Sequence, residues 1–270
     1  MTIEASPGSR MKLGLALGLL LVLVAAVPAV AEERVSLSGS VNYSRGDYGT
    51  DEDTTLLYVP FTLRVRPTER LTLGVTVPYI RQTTQAVVFT GGGVARRGDQ
   101  ERRVEPRRTE EGLGDILVKG EYVLLREGLV LPEIAGAVKV KVPTADEDRG
   151  LGTGEFDETI GLGLGKTLLP RLVGYLDLAY TFVGSPPGEQ FDNVFAWSVG
   201  AAYLLAQPVT LFAFLDGATA VAPDQDDPLE LRAGAEFKLT RAVRLTGSGS
   251  VGLSDGAADY GASAGLAFRF

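Results

Sequence analysis

The chain of 270 residues has no cysteine and no histidine, and it carries two methionines and a single tryptophan. Without cysteine there is no disulfide framework, so an exported protein of this composition has to find its stability elsewhere. Without histidine or cysteine the familiar imidazole and thiolate metal sites are missing, and so are the commonest general bases and thiol nucleophiles. Carboxylates are plentiful, but none sits in a recognisable catalytic constellation. No catalytic residue, metal site or cofactor is therefore expected. A formal net charge of −8 argues against nucleic acid, whose phosphates call for a basic face. A membrane-spanning helix is absent as well, because no apolar run reaches the roughly 20 residues such a helix needs.

The nearest approach to such a run lies at the start. Arg10 and Lys12 form a basic region, Leu13 to Ala26 an apolar one, and Ala29-Val30-Ala31 after Pro28 an A-x-A cleavage pattern. Residues 1–31 are expected to be a signal peptide, with one domain over residues 32–270.

What fills the remainder is a period of two. Val35, Leu37, Gly39, Val41 and Tyr43 share one parity, and Ser36, Ser38, Ser40, Asn42 and Ser44 share the other. A strand sends these two sets to opposite faces, whereas a helix would smear them around its circumference. The pattern recurs through Val59–Val65, Leu71–Tyr79, Ile116–Leu124, Ile134–Val142, Ile160–Leu164, Leu172–Phe182, Trp197–Leu205, Val209–Leu215, Leu229–Leu239, Val243–Leu253 and Tyr260–Phe270. About twelve strands result, each near the 9–11 residues of a tilted membrane-spanning strand.

Links at 67–70, 125–130, 168–171, 206–208 and 240–242 are short. They alternate with longer ones at 46–53, 84–111, 143–155, 184–192, 222–228 and 254–258. Short periplasmic turns and long extracellular loops are the habit of outer-membrane barrels, and an even strand number returns both ends to the periplasm. The predicted fold is thus all-β: a closed antiparallel transmembrane barrel in the bacterial outer membrane. Soluble sandwiches and lipocalin-like barrels also alternate, with the apolar set inside. Two features favour the membrane: the polar set is rich in Ser, Thr and Gly, and aromatic residues recur near strand ends, as interfacial girdles require.

With the apolar parity on lipid, the opposite parity lines the lumen. It includes Arg64, Arg66, Asp115, Lys119, Glu121, Glu133, Lys139, Lys141, Asp177, Arg232, Glu236, Lys238 and Arg244. A mid-membrane Arg or Lys facing hydrocarbon costs roughly 2–4 kcal/mol, so this set belongs inside. It reads either as an electrostatic lining or as salt-bridge ladders that plug a narrow barrel. Lys119, Lys139 and Lys141 outnumber Asp115 and Glu121 on two neighbouring strands, and the surplus positive charge is expected to face the passage. Gly161, Gly163 and Gly165 would leave a bare groove or relieve a bend. In the longest loop, Arg96, Arg97, Arg102, Arg103, Arg107 and Arg108 could constrict the pore, bind lipopolysaccharide phosphates or simply be solvated.

The ending, Tyr260-x5-Leu266-x-Phe268-x-Phe270, resembles the C-terminal signature of outer-membrane barrels, which implies recognition by the barrel-assembly machinery. Val77-Pro78-Tyr79, Gly112-Leu113-Gly114-Asp115, Val140-Lys141-Val142-Pro143-Thr144 and Leu151-Gly152-Thr153-Gly154 resemble, in order and spacing, the outer-membrane transporter family of the meta pathway of phenol degradation. That resemblance implies a channel for passive uptake of small aromatic or hydrophobic solutes. A non-conducting structural or surface-binding barrel is the alternative. Enzymatic outer-membrane barrels generally rely on a histidine, and none is present. Expected partners are outer-membrane lipid and lipopolysaccharide, the assembly machinery and a small-molecule solute, with no nucleic acid.

Overall fold

The computed structural model describes residues 34–48, 53–83, 87–90, 93–96, 109–223 and 225–270. The expected signal peptide lies outside the described residues, as do Arg97, Arg102, Arg103, Arg107, Arg108 and the side chain of Arg96. The described residues hold strands and no helix: β1 (Val35–Gly46), β2 (Thr54–Val65), β3 (Leu71–Gln82), β4 (Val87–Thr90), β5 (Gly93–Arg96), β6 (Glu110–Leu113), β7 (Ile116–Leu125), β8 (Glu133–Val142), β9 (Asp157–Leu169), β10 (Leu172–Phe182), β11 (Val194–Ala206), β12 (Val209–Ala218), β13 (Leu229–Lys238), β14 (Val243–Gly252) and β15 (Tyr260–Arg269).

Every barrel strand pairs antiparallel with its sequence neighbours, and β1 pairs with β15 to close the ring. Twelve strands make the wall. The other three belong to the segment between β3 and β7, which alternation presents as a loop: β4 and β5 form a separate hairpin, and β6 extends the wall beside β3. Closure leaves the ring no open edge, which hydrocarbon requires because it cannot hydrogen-bond a bare N–H or C=O.

The apolar parity points outward. Phe61, Ile160 and Val251 are 56%, 54% and 47% exposed, and comparable side chains recur on every barrel strand. Such a continuous apolar exterior is untenable in water and suits a bilayer. Rings mark its borders: Tyr43 with Tyr260 and Tyr180 with Phe182 near the long loops, Tyr122, Tyr203, Phe237 and Phe268 near the short turns. Buried apolar residues are few, and a small cluster of them, Leu56, Ile80, Ala145 and Leu151, sits inside the extracellular mouth.

The periplasmic turns are tied by side chains. Lys166 Nζ donates to the carbonyls of Gly128, Leu129 and Leu131, while Glu127 accepts from the amide of Thr167 at 2.8 Å and from its hydroxyl. That amide, foremost, holds the exposed Glu127 carboxyl below the usual carboxylate range. The Glu69 carboxyl is likewise lowered, by the Arg126 guanidinium bonded to it.

Candidate functional site in the barrel lumen

β6 and β7 are one strand broken in the middle. β6 pairs with Tyr79–Gln82 and β7 with Leu71–Thr76, and the break falls on Gly114-Asp115. The freed backbone is satisfied locally: Gly114 N donates to Pro78 O at 2.9 Å, and Ile116 N to Thr144 Oγ1 at 3.0 Å. Asp115 Oδ1 accepts the amides of Thr144 and Ala145 at 2.8 and 2.9 Å.

Lys141 then stands between two carboxylates, 3.2 Å from Asp115 Oδ2 and 3.1 Å from Asp157 Oδ2. Its ammonium also donates to Thr153 Oγ1 at 2.7 Å, and Asp157 Oδ1 accepts the Gly184 amide at 2.8 Å. The three charged side chains are only 3%, 5% and 0% exposed for Lys141, Asp115 and Asp157. Charges this deep persist only when paired and hydrogen-bonded. The cluster fastens loop 143–156 across the mouth. Gln82 Nε2 reinforces it by donating to Gly150 O at 3.1 Å, and Leu151 packs on Leu56 and Ile80. Gly152 must be small: a Cβ there would lie 2.5 Å from Asp115 Oδ2 and 2.8 Å from the Ala145 methyl. The four segments that carried the family resemblance converge here, through Pro78, Gly114, Asp115, Lys141, Thr144, Gly152 and Thr153.

Asp157 was absent from the sequence-derived lining, and it alters the charge count around Lys141: this cluster carries one more negative than positive charge. Lys119 pairs with Glu121 at 2.8 Å and remains half open to the lumen, with Lys139 opposite it in register. On the far wall Arg232 pairs with Asp216 at 3.1 Å, and Ser198 Oγ donates to Asp216 Oδ1 at 2.5 Å. Arg244 pairs with Glu236 at 2.7 Å. Asp177 lies between Gly163 and Ser198 in register, so one of the three glycines makes room for a carboxylate. Arg64, Arg66 and Lys238 stand at the periplasmic end without an ion pair among the described residues, and Glu133 begins β8 there.

Aromatic side chains also occupy the lumen parity. Tyr175 on β10 and Phe214 on β12 face each other across Gly200 of β11, with ring centroids 6.0 Å apart, and Phe212 lies 6.1 Å from Phe214. The Arg232 guanidinium stands 5.1 Å over the Phe214 ring. Period two conceals these rings because Leu211 to Leu215 is apolar on both parities.

Two cavities fill the extracellular half of the lumen. One of about 400 Å³ is lined by Asn42, Leu56, Tyr58, Ile80, Asp115, Lys141, Arg232 and Ser248, and one of about 490 Å³ by Tyr48, Asp177, Ser198 and Asp216. Ser44, Leu56 and Glu230 line both, so the spaces adjoin.

A closed twelve-stranded wall with an apolar exterior and a polar, aromatic-patched interior defines an outer-membrane β-barrel. Residues 88–270 match the family described as "Putative MetA-pathway of phenol degradation", and the chain belongs to that family. An outer-membrane channel from Pseudomonas putida F1 is similar in structure, with a TM-score of 0.68 and 15% identity over 90% of this chain and 97% of that one. The porin NanC follows at 0.56, with 9% identity over 87% of this chain and 100% of its own. The porin KdgM stands at 0.52, with 8% identity over 87% and 99%. At these identities the likeness establishes the fold. No curated protein matches the chain.

Proposed function

We propose that this barrel is a passive outer-membrane channel for small solutes, and that aromatic and other hydrophobic compounds are what it admits. The observation that carries the reading is the pair of adjoining lumen cavities, about 400 and 490 Å³, walled by Leu56, Tyr58, Ile80, Ala179 and Ala196 with a few fixed charges. An apolar cavity of about 150 Å³ already holds benzene, so a single-ring solute has room. The family description and the channel and porin relatives point the same way. The charged lining at Arg64, Lys119, Glu121, Lys139, Asp177, Arg232, Glu236, Lys238 and Arg244 would tune which solutes enter, and no step of passage calls for catalysis.

A second reading, a non-conducting barrel, draws on loop 143–156, which lies across the mouth and is pinned by the Lys141 cluster. Planar-bilayer recording and liposome swelling decide between them. Current together with swelling in small neutral solutes supports the channel, and neither one, in well-folded protein, overturns it.

Three further proposals complete the reading. Residues 1–31 are removed on export, leaving the barrel domain of 32–270. Tyr260, Leu266 and Phe268 on β15, with Phe270 directly after it, present an alternating ending to the assembly machinery. The arginines between positions 96 and 108 contact lipopolysaccharide phosphates.

A further inference from the structure

We propose that the β7–β8 turn, residues 126–132, is a membrane anchor that seats Leu129, Val130 and Leu131 in the inner leaflet of the outer membrane. The proposal rests on the wall and its bilayer, and is independent of which solute passes through the barrel.

Leu129, Val130 and Leu131 are 101%, 85% and 57% exposed, the first two more than any other large apolar side chain among the described residues. A short hairpin link has no need of such a tip. Two others in this barrel read Pro67-Thr68-Glu69-Arg70 and Thr240-Arg241-Ala242. Three consecutive apolar side chains standing in water are unfavourable unless something covers them.

The turn is held in place. Lys166 Nζ donates to the carbonyls of Gly128 and Leu129 at 2.6 and 3.1 Å, and its ammonium lies 3.2 Å from Glu127. Glu127 in turn accepts the Thr167 amide, which lies beyond the end of the β8–β9 pairing at Glu133 and Gly165. Gly128 N donates to Leu131 O at 3.0 Å and closes the tip on itself. The backbone is thus occupied, and the tip presents its side chains.

Strand parity gives the direction in which they point. On β9, Ile160 and Leu162 face hydrocarbon, and Lys166 shares their parity. A side chain from the lipid side of the wall therefore holds the turn, and draws it over the outer rim instead of beneath the lumen. The neighbouring wall continues the same surface. The register shift between β9 and β10 pairs Leu169 with Leu172 and leaves Leu168 as the extra residue, and both Leu168 and Leu169 are exposed. Leu168 lies outward, because a Cβ on Gly174 would come 2.9 Å from its Cδ1. On β7, exposed Leu124 leans on Gly136 of β8 in the same manner. This continuity with the lipid-facing belt makes phospholipid the occupant. The charge fits as well: Lys166, a cation on an outward position, is answered by Glu127 and the turn's carbonyls at the border where long basic side chains reach toward water.

The test is fluorescence of the full chain, purified and reconstituted in phosphatidylcholine vesicles. Trp197 is the single tryptophan, so a Trp197→Phe, Val130→Trp double variant carries one reporter at the tip. Its emission should be blue-shifted, shielded from aqueous iodide and largely lost when the lipid is replaced by phosphatidylcholine brominated at shallow acyl carbons. Arg241→Trp in the same background places the reporter on a polar turn and should leave it open to iodide. Equal shielding at both positions would overturn the claim that this turn is distinct. Adding Lys166→Met to the tip variant should return the indole to iodide in a barrel that still shows heat-modifiable migration on gels, and unaltered quenching there would overturn the part given to Lys166. An indole at position 130 that iodide quenches freely and brominated lipid does not would overturn the anchor. If a photo-crosslinker at the same position then captures one discrete protein in intact cells, the tip belongs to a periplasmic partner instead.

Discussion

Lys141→Met is the substitution that most directly probes the mouth of the barrel. Methionine fills much of the same volume but leaves Asp115 and Asp157, each within 3.2 Å of the ammonium it replaces, buried without their shared cation. Breaking a buried ion pair by deleting one partner costs roughly 3–5 kcal/mol, chiefly because the remaining charge is stranded. The hydrogen-bonded wall does not depend on this contact, so the penalty falls on the docked state of loop 143–156. An increase of roughly 10²–10⁴-fold in its undocked population follows from that energy. Trypsin cleavage at Arg149, whose side chain is otherwise held by Glu110 at 2.9 Å, reads the undocked fraction. Cleavage should accelerate strongly while the barrel stays heat-modifiable on gels. Combining Lys141→Met with Asp115→Asn and Asp157→Asn removes all three charges and should recover much of the protection, because asparagine oxygens can still accept the loop amides. A Lys141→Met protein cut at Arg149 no faster than wild type would refute the claim that this cluster fastens the loop.

Three other outcomes follow from the same structure. Gly152→Ala places a methyl against Asp115 and Ala145, and should lower loop protection by about 1–3 kcal/mol in hydrogen exchange, the usual cost of overpacking. Glu127 is held below the ordinary carboxylate range by the Thr167 amide, so its tie to β9 is intact at neutral pH and is lost as pH falls through that lowered value. The Thr167 amide proton, which Glu127 accepts at 2.8 Å, should shift upfield in NMR only in that acidic window, and an upfield position already at pH 7 would contradict the tie. Because the chain has no native cysteine, single replacements report orientation cleanly. Gln190→Cys should react with a membrane-impermeant maleimide on intact cells and Arg241→Cys only after lysis, and the reverse would invert the topology.

Much of the wall was legible in the sequence because a lipid-facing barrel strand obeys a strict local rule. Leu37 and Val41, or Leu231 and Phe237, face hydrocarbon whatever the rest of the chain does. The site was less legible because it depends on registers between strands. Asp115, Lys119 and Lys141 fall on the lumen parity, but Lys141 is shared between Asp115 and a second carboxylate, Asp157, which lies across a loop whose path no periodicity describes. The break at Gly114-Asp115 is hidden for a related reason: the four residues of β6 are too few for their parity to be read, although the outward set changes from odd at Leu113 to even at Val118, and the pairing of β6 and β7 with one β3 exposes it. Phe212 and Phe214 were hidden by neighbours that are apolar on both faces, where a period of two has no contrast to reveal.

The β1–β15 seam differs from every other junction in the wall. All the other barrel neighbours are consecutive in the chain or, like β3 and β7, separated by the one segment that holds β4 to β6, whereas the seam joins Ser36 to Arg269 and adds backbone bonds between Val35 and Phe270. Each doubling of the chain segment to be closed adds about 0.6 kcal/mol, so joining the two ends costs about 2.5–3 kcal/mol more than closing a hairpin of some ten residues. Hairpins can zip one after another while the chain is still arriving. The seam cannot form until its last strand is present, and until then the sheet has two bare margins that could pair with each other or with a stranger. Completion of the cylinder is therefore a late, all-or-nothing event, and any delay of β15 prolongs the interval in which those margins are open to misassembly.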